Sequence, residues 1–197
     1  MLSIEGVKLL MSSMIDGGVI LQDMSKKTKS PKKRSTGARK PAMNSVGLDA
    51  AKAASLIDGL NGLLATYQVH YQNLRGCHWN ITGPTFFELH AKFEELYTKA
   101  QTFIDELAER ILTLEGRPLH TYSAYLKASE VKEQRDLTGA KETVACVMAD
   151  MGTLIALQRG VLRLAEDAGD EATATLVGDN ITVMEKDLWM LRAYSGK

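Results

Sequence analysis

Four side chains of the types that bind metal ions, His78, His90, Asp105 and Glu109, lie in one strongly helical stretch of the sequence. A straight helix rises about 1.5 Å per residue, so it would hold His90 and Asp105 about 22 Å apart. These two residues therefore cannot bind the same ion within one helix. Asp105 and Glu109, by contrast, are one turn apart, so their carboxylates share a helix face and form half of a metal site.

The two histidines complete this half-site only if a second copy of the helix runs antiparallel to the first. The histidine end of each chain then lies beside the carboxylate end of its partner, and a two-fold dimer contains two identical sites. Imidazole and carboxylate groups are both common ligands of divalent metal ions. The spacing therefore predicts a metal site shared between two chains.

The elements that must position these ligands are long amphipathic helices. Apolar residues recur at three- and four-residue intervals, which predicts helices over 46–80, 85–114, 138–168 and 170–194, with a short helix over 122–128. Thr85, with Glu88 three residues later, is typical of a capping box at the start of the second helix. Four long helices with an elaborated middle crossover predict an all-α, ferritin-like four-helix bundle.

Composition limits the classes of protein to which this chain can belong. A chain of 197 residues that is 45% hydrophobic can bury one substantial core. Its two cysteines, Cys77 and Cys146, set no disulfide framework, which favours a reducing cytoplasm, and both are expected to be buried apolar residues. No run reaches the roughly 18 consecutive apolar residues of a membrane helix. We predict neither a membrane span nor a signal peptide.

The formal net charge of the chain is zero, but the charges are unevenly distributed. Residues 1–45 are basic, with nine Lys or Arg residues and three acidic residues. We predict that 1–45 is a disordered tail and that 46–197 is the folded domain. Translation from Met24 is an alternative, and residues 1–23 would then be upstream sequence. Eight bases with no acid between them, suited to non-specific contact with DNA phosphates, are Lys26, Lys27, Lys29, Lys32, Lys33, Arg34, Arg39 and Lys40. A solubilising arm is the other interpretation of the tail.

Four sequence segments resemble the Dps family, the DNA-binding proteins from starved cells that are also called mini-ferritins. These segments are HWNITGPTFFELH at 78–90, FEELY at 93–97, DELAER at 105–110 and EKDLWMLRA at 185–193. The resemblance covers residues 46–195 and includes all four potential ligands in the same order. It implies a four-helix bundle with a short helix in the middle crossover and a dodecameric hollow shell.

The resemblance also implies a function. Fe(II) is oxidised between two-fold-related subunits, preferably by hydrogen peroxide, and Fe(III) is stored as mineral inside the shell. By position, His78 and His90 of one chain and Asp105 and Glu109 of its partner would be the ferroxidase ligands. Glu94, one turn beyond His90, is either a further metal ligand or a solvated residue. The tail would bind and condense DNA, which implies a cytoplasmic, nucleoid-associated protein that acts in starvation and oxidative stress.

Two alternatives stay open. The acidic residues at the junction of the last two helices either cap and solvate the helices or line a pore that draws in cations: Glu166, Asp167, Asp170 and Glu171. A DNA-packaging protein of the nucleoid, with a weak or unused metal site, is the alternative function.

Overall fold

The computed structural model describes residues 42–196, which form five helices. The helices are α1 (Ala50–Asn80), α2 (Phe86–Thr113), α3 (Tyr122–Ala128), α4 (Ala140–Ala168) and α5 (Glu171–Tyr194). The four long helices and the short helix of the crossover lie where the sequence predicts them. The all-α fold class is therefore confirmed, whereas the proposed tail lies almost entirely outside the described residues.

The first helix begins four residues later than its apolar pattern predicts. The side chain of Asp49 accepts hydrogen bonds from the backbone N–H groups of Ala51 and Lys52, so Asp49 is the N-cap. Immediately before it, the side chain of Asn44 accepts a hydrogen bond from the N–H of Leu48. These local bonds hold the residues before Asp49 in a turn, and the helix cannot extend into them.

The predicted capping box at the start of α2 is wrong. Thr85 is the N-cap, but its side chain makes no capping hydrogen bond, and its buried hydroxyl has no partner. Its backbone angles, φ −101° and ψ 22°, depart from the extended conformation that directs an N-cap hydroxyl toward the first helical N–H groups. A glutamate does cap the start of α4, where Glu142 Oε1 accepts hydrogen bonds from the N–H groups of Thr138 and Gly139.

Helix α1 lies at the centre of the bundle, packed against α2, α4 and α3, while α5 packs mainly against α4. The core includes Leu56, Leu60, Leu63, Tyr67 and Leu74 of α1, all nearly inaccessible to solvent. Burying each leucine side chain contributes about 1.5–3 kcal/mol to folding. This burial on several sides of α1 fixes the positions of the helices around it.

By length and composition alone, α4 passes the test for a membrane-crossing helix. Within the bundle, however, it contributes Val144, Val147, Met151, Leu154 and Val161 to the core. Its place as a core helix accounts for its apolar composition.

The interior of the bundle also holds a polar cluster. Asp150 Oδ2 lies 3.2 Å from His70 Nδ1 and accepts a hydrogen bond from Asn73 Nδ2 at 3.0 Å. All three side chains are buried. His70 is thus a hydrogen-bonded core residue, and its partners satisfy polar groups that would otherwise be costly to bury.

Candidate metal centre

The turn between α1 and α2 brings the end of one helix to the start of the other. Gly83 adopts φ +104°, a conformation that glycine reaches without steric cost. Beside it, the N–H of Thr82 donates to the carbonyl of Thr138 at 2.9 Å, which ties this turn to the start of α4. The last turn of α1 and the first turns of α2 are therefore held side by side.

His78 and His90 meet at this junction and stack, with ring centroids 3.8 Å apart and planes inclined by 20°. Nδ1 of His78 lies 2.8 Å from the carbonyl oxygen of His90, and Nδ1 of His90 lies 2.9 Å from the carbonyl oxygen of His78. A carbonyl only accepts hydrogen bonds, so each Nδ1 must donate, and in the neutral ring Nε2 then carries the lone pair. Within residues 42–196 neither Nε2 has a hydrogen-bond partner.

This reciprocal bonding resembles the way metal-binding histidines are oriented in proteins, where the second ring nitrogen donates to a carbonyl or carboxylate. The bonds fix both the tautomer and the ring orientation. The pair therefore offers two preorganised nitrogen ligands from one chain.

Aromatic side chains support the histidine pair. The ring of Tyr97 meets His78 edge-on at 5.3 Å, and Phe86 stacks on His90 at 5.0 Å. The hydroxyl of Tyr97 donates to Glu94 at 3.4 Å, and desolvation together with the Glu94 carboxylate raises the pKa of Tyr97 above its usual value. Glu94 is exposed and lies one turn beyond His90 on α2.

Sequence reasoning missed Tyr97. The spacing could have identified it, because Tyr97 lies seven residues after His90, two turns further along the same face of the helix.

The carboxylates of Asp105 and Glu109 are exposed on α2, and neither has a side-chain hydrogen bond or ion pair within residues 42–196. The helix is continuous from Phe86 to Thr113, so the separation of about 22 Å from His90 holds. Among the described residues of a single chain, no three His, Cys, Asp or Glu side chains are close enough to hold a metal ion. The structure therefore places the four predicted ligands in two separate pairs.

The acidic junction between α4 and α5 divides into two kinds of residue. Glu166, Asp167 and Glu171 are exposed, and Asp167 pairs with Lys52 at 3.5 Å. Asp170, by contrast, is buried, caps α5 through the N–H of Thr173, and accepts two hydrogen bonds of 2.7 Å from Arg110. These contacts favour the capping interpretation for Asp170, whose carboxylate is occupied by a cap and an ion pair.

Burial would by itself raise the pKa of Asp170, but hydrogen bonds from Arg110 and Thr173 outweigh it and the pKa is lowered. The ionised carboxylate therefore stabilises the fold at neutral pH, and this contribution is lost as the pH falls below about 4, through the folded-state pKa. We expect Arg110→Ala to lower the free energy of unfolding by about 3 kcal/mol, because it leaves a buried charge unpaired. Chemical denaturation measures this loss.

The matched control for that experiment is Arg159→Ala, which removes an exposed ion pair with Glu185. This substitution should lower the free energy of unfolding by about 1 kcal/mol or less. Equal losses in the two variants would contradict the assignment of Arg110 and Asp170 as a buried pair.

The basic residues assigned to DNA contact, from Lys26 to Lys40, lie outside the described part of the chain. Their assignment stays a prediction.

Comparison with known proteins gives a consistent result. The family model of the ferritin-like domain matches residues 57–197. A DNA protection during starvation protein of Porphyromonas gingivalis is 43% identical over 158 residues, covering 80% of this chain and 99% of the relative. A Haemophilus influenzae protein is 50% identical over 149 residues, covering 76% of this chain and 93% of the relative.

Among solved structures, the Dps protein of Vibrio cholerae O1 superposes with a TM-score of 0.76 at 49% identity, covering 80% of this chain and 99% of that one. That protein is described as a member of a broad superfamily of ferritin-like diiron-carboxylate proteins. Fold, sequence and family model agree, and the chain belongs to the Dps family of ferritin-like proteins.

Proposed function

We propose that this protein is a ferroxidase and iron-storage protein that oxidises Fe(II) at sites shared between two subunits. The observation that carries the proposal is the stacked pair of His78 and His90, whose Nδ1 atoms are both bound to carbonyl groups. Two Nε2 atoms are thereby prepared for a metal ion, yet within residues 42–196 of the same chain no carboxylate completes a site with them.

The missing carboxylates come from a second copy in this proposal. Asp105 and Glu109 are exposed and unpaired within the described residues, and they share a face of α2. An antiparallel, two-fold arrangement of α2 helices brings them to the histidines of the partner and makes two equal sites. Glu94, held by Tyr97, would lie at the edge of this site and accept a second ferrous ion or a bound water.

Hydrogen peroxide is the proposed oxidant. Two ferrous ions each give one electron, the O–O bond breaks, and two protons complete two water molecules, so that both ions leave as Fe(III). The histidines and carboxylates bind and orient the ferrous substrate, and the mixed nitrogen and oxygen ligands tolerate both oxidation states. Coupled use of iron and peroxide would remove both reagents of radical chemistry at once.

Storage requires an enclosed space, and we propose a dodecameric shell built from the two-fold dimers. The homology to Dps proteins supports this assembly. The exposed Glu166, Asp167 and Glu171 are the remaining candidates for a cation-attracting entrance, because symmetry copies would concentrate their negative potential. Interior acids would provide the surface on which ferric mineral grows.

The basic tail would bind DNA without sequence specificity, and twelve tails on one shell would combine weak contacts into firm binding. The name of the relative from Porphyromonas gingivalis, a DNA protection during starvation protein, supports this part. In this proposal the protein acts in the cytoplasm, associated with the nucleoid.

The test is anaerobic loading of the purified protein with Fe(II), followed by hydrogen peroxide, with ferric absorbance and peroxide loss as readouts. A His78→Ala, His90→Ala variant should oxidise iron about 100-fold more slowly, because even outer contacts of a metal site are worth about 10–100-fold. DNA retardation should be unchanged, since the tail is intact.

The control is His120→Ala, because His120 is exposed and, within the described part of the chain, its ring bonds only to the nearby carbonyl of Pro118. This variant should match the wild type. If the double variant also oxidised iron at the wild-type rate, the ferroxidase proposal would be lost and the DNA-packaging function would be favoured.

A further inference from the structure

The two cysteines of the chain face each other across α1 and α4. Asn73 of α1 donates to Asp150 of α4, and Thr82 donates to Thr138, so residue numbers rise along α1 as they fall along α4. The helices are therefore antiparallel in this region. Cys77 lies one turn after Asn73, and Cys146 lies one turn before Asp150, which places the two thiols at the same level.

The thiols lie on facing sides as well as at the same level, because Cys77 and Cys146 are each one helical turn from a residue of the contacting pair Asn73 and Asp150 and share its helix face. Both are free cysteines, Cys77 buried and Cys146 half-buried. Cysteines that face each other at the same level on packed helices are placed as a disulfide between those helices requires.

A small cavity adjoins Cys77. It has a volume of about 40 Å³ and is lined by Cys77 together with the amide side chains of Asn73, Asn80 and Gln134. A water molecule needs about 10–15 Å³ measured in this way, so the cavity has room for one molecule of hydrogen peroxide. The amide groups can donate to and accept from such a molecule.

We propose that Cys77 and Cys146 are a modification site at which hydrogen peroxide closes an intramolecular disulfide between α1 and α4. One sulfur takes an oxygen atom from the peroxide, the O–O bond breaks, and the first water leaves. The second sulfur then attacks this sulfenic acid, the S–S bond forms as the S–O bond breaks, and the second water leaves. The two thiols lose two electrons and two hydrogens, and the peroxide is reduced to two waters.

This inference goes beyond the proposed iron chemistry, because neither cysteine is a ligand in it. The disulfide would nevertheless tie the last turn of α1, which carries His78, to α4.

The experiment uses the full chain, treated with hydrogen peroxide in the presence of an iron chelator. The protein is then unfolded in an alkylating reagent and analysed by mass spectrometry and non-reducing electrophoresis. We expect a single chain that is lighter by two hydrogen atoms, takes up no alkyl group, and regains both reactive thiols on reduction with dithiothreitol. Peptide mapping should show Cys77 linked to Cys146.

Cys77→Ala and Cys146→Ala are the matched variants, since each leaves a single thiol in the chain. Neither should form a disulfide within the chain. The His78→Ala, His90→Ala variant should still form it, which separates this proposal from that of iron oxidation. Two fully alkylated thiols after peroxide, separate oxidation of each cysteine without a link, or a link between subunits would overturn the proposal.

Discussion

Two variants that are each inactive are expected to restore iron oxidation when they assemble together. One variant carries His78→Ala and His90→Ala, and the other carries Asp105→Ala and Glu109→Ala. In a two-fold dimer that contains one copy of each, one site combines two altered halves and the other combines two intact halves. Random pairing makes about half of the dimers mixed, so about a quarter of all sites should be intact.

The measurement is the initial rate of ferric absorbance for co-expressed variants that carry different affinity tags and are purified through both. Each variant alone should retain about 1% of the wild-type rate or less. Recovery to about a quarter of that rate for randomly assembled dodecamers, or to about half for isolated dimers selected through both tags, indicates shared sites. If all four ligands acted within one chain, mixed assemblies would stay as inactive as their parts, and the inter-subunit proposal would fail.

Part of the candidate site could be predicted from the sequence. The separation of His90 from Asp105 along one helix depends only on the helical rise, and α2 is indeed continuous across both residues. The pairing of His78 with His90 depends on the turn at Gly83, which the sequence marks by Gly83 and Pro84. Both features are local, so they could be predicted.

Features that depend on contacts between distant helices were not predictable in the same way. From the sequence alone, Asp170 could be either a helix cap or a pore residue. Its ion pair with Arg110, sixty residues earlier in the chain, favours the cap. Likewise, nothing local indicates that Cys77 and Cys146 lie at the same level, because the antiparallel register of α1 and α4 is set by Asn73 and Asp150.

A prediction from local sequence spacing was also wrong where the backbone has a different geometry from the one that the motif requires. Thr85 and Glu88 have the spacing of a capping box, but the backbone angles of Thr85 leave its hydroxyl without a partner. The turn at Gly83 and the bond from Thr82 to Thr138 hold the preceding residues, and the junction of His78 and His90 lies immediately beside them. The backbone at the start of α2 is consistent with a tertiary constraint that overrides a local preference.

Removing residues 1–43 is expected to abolish DNA binding and leave iron oxidation unchanged. The deleted segment contains the eight bases from Lys26 to Lys40, whereas α1 and its N-cap, Asp49, are retained. Binding by the full chain should fall by about 10³-fold or more between about 50 and 200 mM salt, because each neutralised phosphate releases counterions. Gel retardation across a salt series, together with the peroxide assay, measures both effects.

Two further variants separate the interpretations of the tail. A chain that begins at Met24 keeps all eight bases and should bind DNA as the full chain does, since residues 1–23 carry only Lys8 against three acids. A full-length chain with the eight bases replaced by glutamine keeps the length and polarity of the tail, so it should lose binding if charge is the cause. If this variant or the truncated protein retarded DNA as strongly as the wild type, DNA contact would have to lie on the helical body, and the tail would serve as a solubilising arm.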